Sequence, residues 1–289
     1  MQRMLAIYLT IILAFTSFFG LAGEKYDVYE NIRYGKAERD LVTIYVPKSA
    51  YQNKSNGCVL YIHGGSWTGG EKEDMAPHCK KVAMQGYITA TMSYSLYSDD
   101  KFGEVTAFTM IDEIDKCIDA IRKFSDENKL NINKMATSGY SAGGHLSMLY
   151  SYSMPEKSSI ELAFTANRVG PSDMSKDVWG SYSLAQMLAG VEITDDMIKS
   201  GEADKIAASV SPVAYVNKNT IPSLFCYAGN DPLVQKGNRK SMEKVFKESG
   251  SEYKYVFFPL SGHGLLLDPV SEMQYYYYLF GYCREYFGY

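Results

Sequence analysis

The chain has 289 residues, of which 46% are hydrophobic and 21% charged, with 24 Gly against 9 Pro, a balance that excludes collagen-like and Pro-rich disordered chains. Its net charge of −4, from 29 basic and 33 acidic side chains, excludes the basic excess that non-specific nucleic-acid binding needs. Twenty-five tyrosines are the one compositional anomaly, and they suggest wet aromatic surfaces such as pockets or sugar-facing clefts.

In chain order, Arg3 precedes an apolar run from Met4 to Phe19, followed by the cleavage-like Gly20-Leu21-Ala22. This order predicts a signal peptide over residues 1–22 and a secreted or periplasmic mature chain. The rival is an uncleaved membrane anchor, for which the run is short against the ~20 apolar residues of a span. Residues 23–289 then form one domain. Leu41 to Val46 reads as a strand closed by Pro47, and Cys58 to Ile62 as a buried strand. Lys72 to Gln85 has helical spacing, with Pro77 delaying its start. Tyr87 to Met92 is a strand. Met110 to Phe124 is an amphipathic helix whose apolar stripe is Ile111, Ile114, Cys117, Ile118 and Ile121.

Lys134 to Ser138 reads as a strand and Ala142 to Tyr152 as the helix after it. Leu162 to Val169 is a further strand. Strand, helix, strand and helix follow at Ser223 to Tyr227, Lys236 to Glu248, Tyr255 to Phe258 and Val270 to Phe287. Alternation of this kind predicts an α/β fold, a mainly parallel central sheet flanked by helices. The long stretch 171–209 carries no strand signal and is expected to be a small cap insertion, the alternative being a helix with loops. Tyr275 to Tyr278 reads as part of a packed helix face. Cys58, Cys79, Cys117, Cys226 and Cys283 form no CxxC pair and read as buried free thiols.

Gly139-Tyr140-Ser141-Ala142-Gly143 is a G-x-S-x-G pentapeptide between a strand and a helix. That context forces a sharp turn, with small neighbours letting the backbones pass closely and the serine hydroxyl raised above the sheet. His63-Gly64-Gly65-Ser66-Trp67 follows the CVLYI strand, and such a turn clusters N–H donors able to hold an oxyanion. A serine nucleophile needs a base and an orienting acid, in the chain order Ser, Asp or Glu, His. His145 lies inside the helix that follows the serine, which leaves His263, in a loop of small residues, as the base. Asp231, in a turn after the LFCY strand, is the acid candidate. Asp268 and Glu272 are rivals, but they follow the histidine. His78 is expected to be exposed on a helix, and His63 and His145 to brace their loops. No metal-ligand spacing, phosphate loop or dinucleotide fingerprint occurs, so no metal and no cofactor are expected.

These motifs resemble the α/β-hydrolase superfamily, in particular its H-G-G-x-W carboxylesterases, which include hormone-sensitive-lipase-like, acetyl- and feruloyl-esterase-like and kynurenine-formamidase-like enzymes. HGGSWTGGEKED, TSGYSAGGHLS, SPVAYVNKNTIPSLFCYAGNDPLV and PLSGHG carry the resemblance, over about Leu41 to His263. It implies the α/β-hydrolase fold, with Ser141 as nucleophile, Asp231 as acid and His263 as base. It also implies backbone oxyanion donors at Gly64, Gly65 and Ser66, together with Ala142. Ser66 stands where many relatives have a third glycine, which keeps the N–H. The expected activity is hydrolysis of short-chain acyl esters, carbohydrate-linked ones included, through an acyl-enzyme. The alternatives are an arylformamidase or other amide hydrolase of this fold, and a non-catalytic binding module on a hydrolase scaffold. The expected partner is a small-molecule or carbohydrate ester, with no nucleic acid and, after signal cleavage, no membrane.

Overall fold

Eight strands alternate with helices in the computed structural model, which describes residues 24–288. The signal-peptide expectation lies outside the described residues. The first half runs β1 (Tyr26–Arg33), β2 (Leu41–Pro47), β3 (Asn56–Ile62), α1 (Ala76–Ala83), β4 (Ile88–Met92), α2 (Ala107–Glu127), β5 (Ile132–Tyr140) and α3 (Ala142–Ser153). After β6 (Glu161–Arg168) come four short helices, α4 (Lys176–Trp179), α5 (Ser183–Ala189), α6 (Asp195–Ser200) and α7 (Glu202–Ser209). The chain closes with β7 (Ser223–Ala228), α8 (Lys236–Ser249), β8 (Tyr253–Phe258) and α9 (Pro269–Phe287). The strands form one sheet in the order β1-β2-β4-β3-β5-β6-β7-β8. β1 with β2 and β2 with β4 are antiparallel, and every later pairing is parallel.

The sheet is buried on both faces, which is why its central strands read as continuous apolar runs. Within β3, Cys58, Leu60 and Ile62 point to one core and Val59 and Tyr61 to the other. On the first face lies α2, whose predicted stripe of Ile111, Ile114, Cys117, Ile118 and Ile121 is buried throughout. The helix starts at Ala107, three residues before the expected Met110, because Thr106 caps it by accepting the Thr109 N–H at 3.2 Å. On the second face lie α1 and α9. Within α9, Tyr275 and Tyr276 are buried and Tyr277 is exposed, the one-sided packing expected of that cluster. All five cysteines are buried free thiols.

Three details differ from the expectations. The predicted helix over 72–85 is a tight 3₁₀ turn over Lys72–Met75 followed by α1, with Pro77 in the first turn of α1. The ring has no N–H to give a preceding carbonyl, so the regular helix starts only there. β1 has no predicted counterpart. It is a largely solvent-facing edge strand, with a register shift between Tyr29 and Ile32 and Asn31 at φ 58°, so no alternating apolar signal marks it. His78 is not exposed as expected. Its Nδ1 meets the Tyr276 hydroxyl at 2.7 Å and its ring stacks between Tyr61 and Tyr276. Burial, helped by the nearby charges of Arg168 and Lys81, pushes it down to about 3.

Among the described residues, no helix is long and apolar enough to cross a membrane. The stretch 171–209 holds α4 to α7 and is tied down at its base. The Asn238 side-chain oxygen on α8 accepts the N–H groups of Ser172 at 2.8 Å and Asp173 at 3.0 Å.

Candidate active site

The loops that leave the C-terminal ends of β3, β5, β7 and β8 carry His63 to Trp67, Ser141, Asp231 and His263. Parallel strands deliver all of them to one edge of the sheet. Ser141 sits between β5 and α3 with φ 54° and ψ −121°, a backbone conformation that costs on the order of 1–3 kcal/mol for a residue with a side chain. The surrounding backbone holds it there. The Ser141 N–H donates to the Arg168 carbonyl at the end of β6 at 2.9 Å, and its own carbonyl accepts from His145 N–H at 3.0 Å. Gly143 makes the turn possible, since a Cβ there would lie 2.0 Å from the Ile62 carbonyl oxygen and 2.4 Å from that of His63.

Ser141 Oγ lies 2.9 Å from His263 Nε2, and His263 Nδ1 lies 2.8 Å from Asp231 Oδ2. The other Asp231 oxygen accepts the N–H groups of Leu233 at 2.8 Å and Val234 at 3.0 Å. Burial disfavours the Asp231 carboxylate. The His263 hydrogen bond and the two backbone donors outweigh that, so its carboxyl lies below the usual carboxylate range. An ionised Asp231 keeps the proton of His263 on Nδ1 and leaves Nε2 as an acceptor facing the serine hydroxyl.

The rival carboxylates have other work. Asp268 accepts from the N–H groups of Leu260 and Ser261 and from the Ser261 hydroxyl, at 2.6–3.2 Å, and so braces the loop that carries His263. Glu272 pairs with the buried Arg168 guanidinium at 2.6 Å. The Tyr140 hydroxyl donates to the His263 carbonyl, tying that loop to the serine turn.

The loop after β3 folds around the Gly65 carbonyl, which accepts from Thr68 N–H at 3.0 Å and Gly69 N–H at 2.9 Å. Gly65 (φ 110°), Ser66 (φ 53°) and Trp67 (φ 62°) all take positive φ, so the chain reverses in one tight turn. Among the described residues, the N–H groups of Gly64, Gly65 and Ser66 make no hydrogen bond. Ala142 opens α3, and its N–H is one of those a helix start leaves unused. Gly64 packs directly on the serine, a Cβ there lying 3.2 Å from Ser141 Cβ. Gly64 thus lies against Ser141, Ala142 follows it, and Ser66 lines the same cleft.

His63 and His145 brace this site, as expected. His63 is fully buried, donates from Nδ1 to the Gly64 carbonyl at 2.7 Å and stacks on Tyr94; burial lowers its basicity. His145 Nδ1 accepts the Trp67 indole N–H at 3.1 Å, and its Nε2 donates to the Val210 carbonyl at 2.8 Å. One imidazole thus joins the loop after β3, helix α3 and the chain just after α7. Burial, only partly offset by the Val210 carbonyl, pushes it down to about 4, so it is neutral near pH 7.

Sequence reasoning did not find Arg39, whose guanidinium ties the far end of the same loop, at the Gly70 carbonyl (2.6 Å), to the segment after β4, at the Tyr94 carbonyl (2.9 Å). Nor did it find Arg168, Tyr140 or the bracing role of Asp268. No local pattern marks them, since each acts across 30 or more residues or through a backbone atom.

Above Ser141 lies a cleft of about 340 Å³. The turn after β3 contributes Trp67, helices α4 and α5 contribute Trp179, Leu184 and Met187, and the Asp231 loop contributes Leu233 and Val234. Among the described residues, no tyrosine lines it. The cleft above Ser141 is thus not one of the tyrosine-lined surfaces suggested by composition, although Tyr29, Tyr152, Tyr182 and Tyr227 line other clefts; Tyr61, Tyr94, Tyr150, Tyr275 and Tyr276 are among the largest fully buried side chains. The cleft's aromatic surface is made by the chain's two tryptophans. Among the described residues, no group of three or more His, Cys, Asp or Glu side chains could hold a metal.

A family model described as BD-FAE matches residues 42–246. Esterase LipC of Mycobacterium tuberculosis is 22% identical over 263 residues, which cover 86% of this chain; the chain spans 62% of the length of that relative. Among solved structures, a truncated carbohydrate esterase from gut microbiota superposes with a TM-score of 0.73 at 17% identity, covering 92% of this chain and 98% of that one. Esterase B from Lactobacillus rhamnosis, inhibited by a tributyrin phosphonate, has a TM-score of 0.70 at 18% identity, covering 97% and 93%. These likenesses show that the fold is that of the α/β-hydrolases.

Proposed function

The chain belongs to the BD-FAE family, and from that premise we propose that it is a serine carboxylesterase acting on short-chain acyl esters, carbohydrate-linked ones included. The observation that carries this reading is the continuous chain of hydrogen bonds from Asp231 through His263 to Ser141, at 2.8 and 2.9 Å. It ends on a serine held at positive φ beside unused N–H groups. In the proposed reaction His263 Nε2 takes the Ser141 proton as Oγ bonds to the ester carbonyl carbon. The negative charge that develops on the carbonyl oxygen is held by backbone N–H groups from Gly64, Gly65, Ser66 and Ala142. The bond to the alcohol oxygen then breaks with its electron pair, and the His263 imidazolium gives that oxygen its proton. Water, activated by the same imidazole, releases the acid and restores the serine. Asp231 stabilises the imidazolium in both halves without itself taking the proton.

The carbohydrate-linked part of the proposal is supported by the gut-microbiota carbohydrate esterase of the same fold. Export through residues 1–22 belongs to the proposal as well, and mass spectrometry of the chain from culture medium tests it by its N-terminal residue. The activity is tested with p-nitrophenyl acetate and butyrate, acetylated xylan and N-formylkynurenine, using the parent and Ser141→Ala. Hydrolysis of the esters by the parent alone, with fluorophosphonate labelling at Ser141, is the expected result. Equal rates in the two proteins would refute the serine mechanism, and preference for the formamide would move the activity to amide hydrolysis.

A further inference from the structure

We propose that the cleft above Ser141 is the acyl pocket and that Trp179 sets the size of acyl group it admits; this rests on the esterase reading above. An ester attacked at Ser141 divides into an acyl part, which stays on Oγ, and an alcohol, which leaves with a proton from His263 Nε2. The alcohol therefore lies on the His263 side. The cleft is lined by Ser141 together with Ser66 and Trp67 of the turn after β3, the turn whose N–H groups would hold the carbonyl oxygen of the acyl part, and that shared lining points to the acyl group as its occupant. The side chains that close it from the inserted helices and the acid loop, Trp179, Leu184, Met187 and Leu233, are all apolar. In the loop that carries His263, Leu260 and Leu266 are 64% and 86% exposed.

The wall is fixed. The Trp179 indole N–H donates to the Asp173 carbonyl at 2.7 Å. The Asp173 carboxylate in turn accepts from Ser241 Oγ on α8 at 2.5 Å and from Ser175 N–H at 3.0 Å. Moving the ring aside would break the indole bond to Asp173, which the carboxylate's own bonds hold in place, so a long acyl group meets resistance at Trp179. At roughly 30 Å³ for a water-sized group, about 340 Å³ holds on the order of ten such groups, part of them open to solvent. That room suits short and medium acyl groups. Each methylene that finds apolar contact should raise kcat/KM about fourfold, until the chain reaches the indole and the gain reverses.

The test is a series of p-nitrophenyl esters from acetate through butyrate and octanoate to laurate, with the parent, Trp179→Ala, Trp179→Phe and, in case the indole is needed for folding, Leu184→Ala and Met187→Ala. Ethyl and p-nitrophenyl butyrate compare the alcohols. The expected result is a parent optimum at short chains and, in Trp179→Ala, a rise of at least about tenfold in the octanoate-to-acetate ratio of kcat/KM. Trp179→Phe should rise less, and the ethyl-to-nitrophenyl ratio should not change. An active Trp179→Ala with the parent's chain-length profile would overturn the assignment, as would a change confined to the alcohol comparison. If Trp179→Ala does not fold, unchanged profiles in both Leu184→Ala and Met187→Ala overturn it. Absence of ester hydrolysis and of Ser141 labelling in the parent would instead overturn the esterase reading and this inference with it.

Discussion

The buried imidazole of His145 makes a quantitative prediction about stability below neutral pH. In the folded chain it is pushed from its ordinary 6.5 down to about 4; in the unfolded chain it is hydrated and titrates near 6.5. Its folded value is the lower, so the unfolded state binds the extra proton between these values, and stability falls as pH falls through them. At pH 7.5 both states are neutral at this position. At pH 5 the unfolded side chain is almost fully protonated and the folded one almost fully neutral, which amounts to about 2 kcal/mol lost from this residue. His78, pushed to about 3, should lose a similar amount by the same route. Asp231, whose carboxyl is lowered, begins to matter only below this range. Denaturant titrations at pH 7.5 and 5.0 on the parent and His145→Gln measure the difference. The substitution lowers stability at both pH values, but the drop between them should be about 2 kcal/mol smaller in the variant, or about 4–8 °C read as Tm. An equal drop in the two proteins would mean that the imidazole is hydrated in the fold as in the unfolded chain, and the tie between Trp67, His145 and Val210 would fall with it.

The acid is tested by comparing Asp231→Asn with Asp268→Asn. The first should cost about 10⁴ in kcat by losing the correct tautomer of His263, while the second, which keeps the His263–Asp231 bond, costs far less; a larger loss in the second would reverse the assignment. Gly143→Ala would place a methyl 2.0 Å from the Ile62 carbonyl oxygen. It should destabilise the fold by about 3 kcal/mol or more, read as the denaturation midpoint; parental stability would show that the serine turn and β3 do not pack so closely.

Much of the site was legible because its chemistry is local. The pentapeptide around Ser141 and the turn from His63 to Trp67 each combine strand end, glycine and functional group within a few residues. The chain order of serine, acid and histidine then selected Asp231 over Asp268 and His263 over His145. Most of the predicted strands were found because they are buried on both faces and read as apolar runs; the edge strand β8, with Phe257 exposed, still shows its apolar residues. β1 escaped because an edge strand with one wet face and a register shift carries no such run. His78 was misjudged because its burial comes from Tyr276, 198 residues away.

From the sequence by itself came the fold class, the nucleophile and the order of its partners, since turn geometry and strand burial are set by neighbours along the chain. The tertiary structure alone decided how those parts are held. Asp268 steadies the His263 loop, Arg168 receives the Ser141 N–H through its carbonyl, and His145 bolts Trp67 to Val210. It also decided that the cleft is lined by the two tryptophans while tyrosines such as Tyr61, Tyr94, Tyr150, Tyr275 and Tyr276 are buried in the core. Side chains from loops far apart in sequence meet only when parallel strands bring their ends together, and no spacing rule along the chain encodes that meeting.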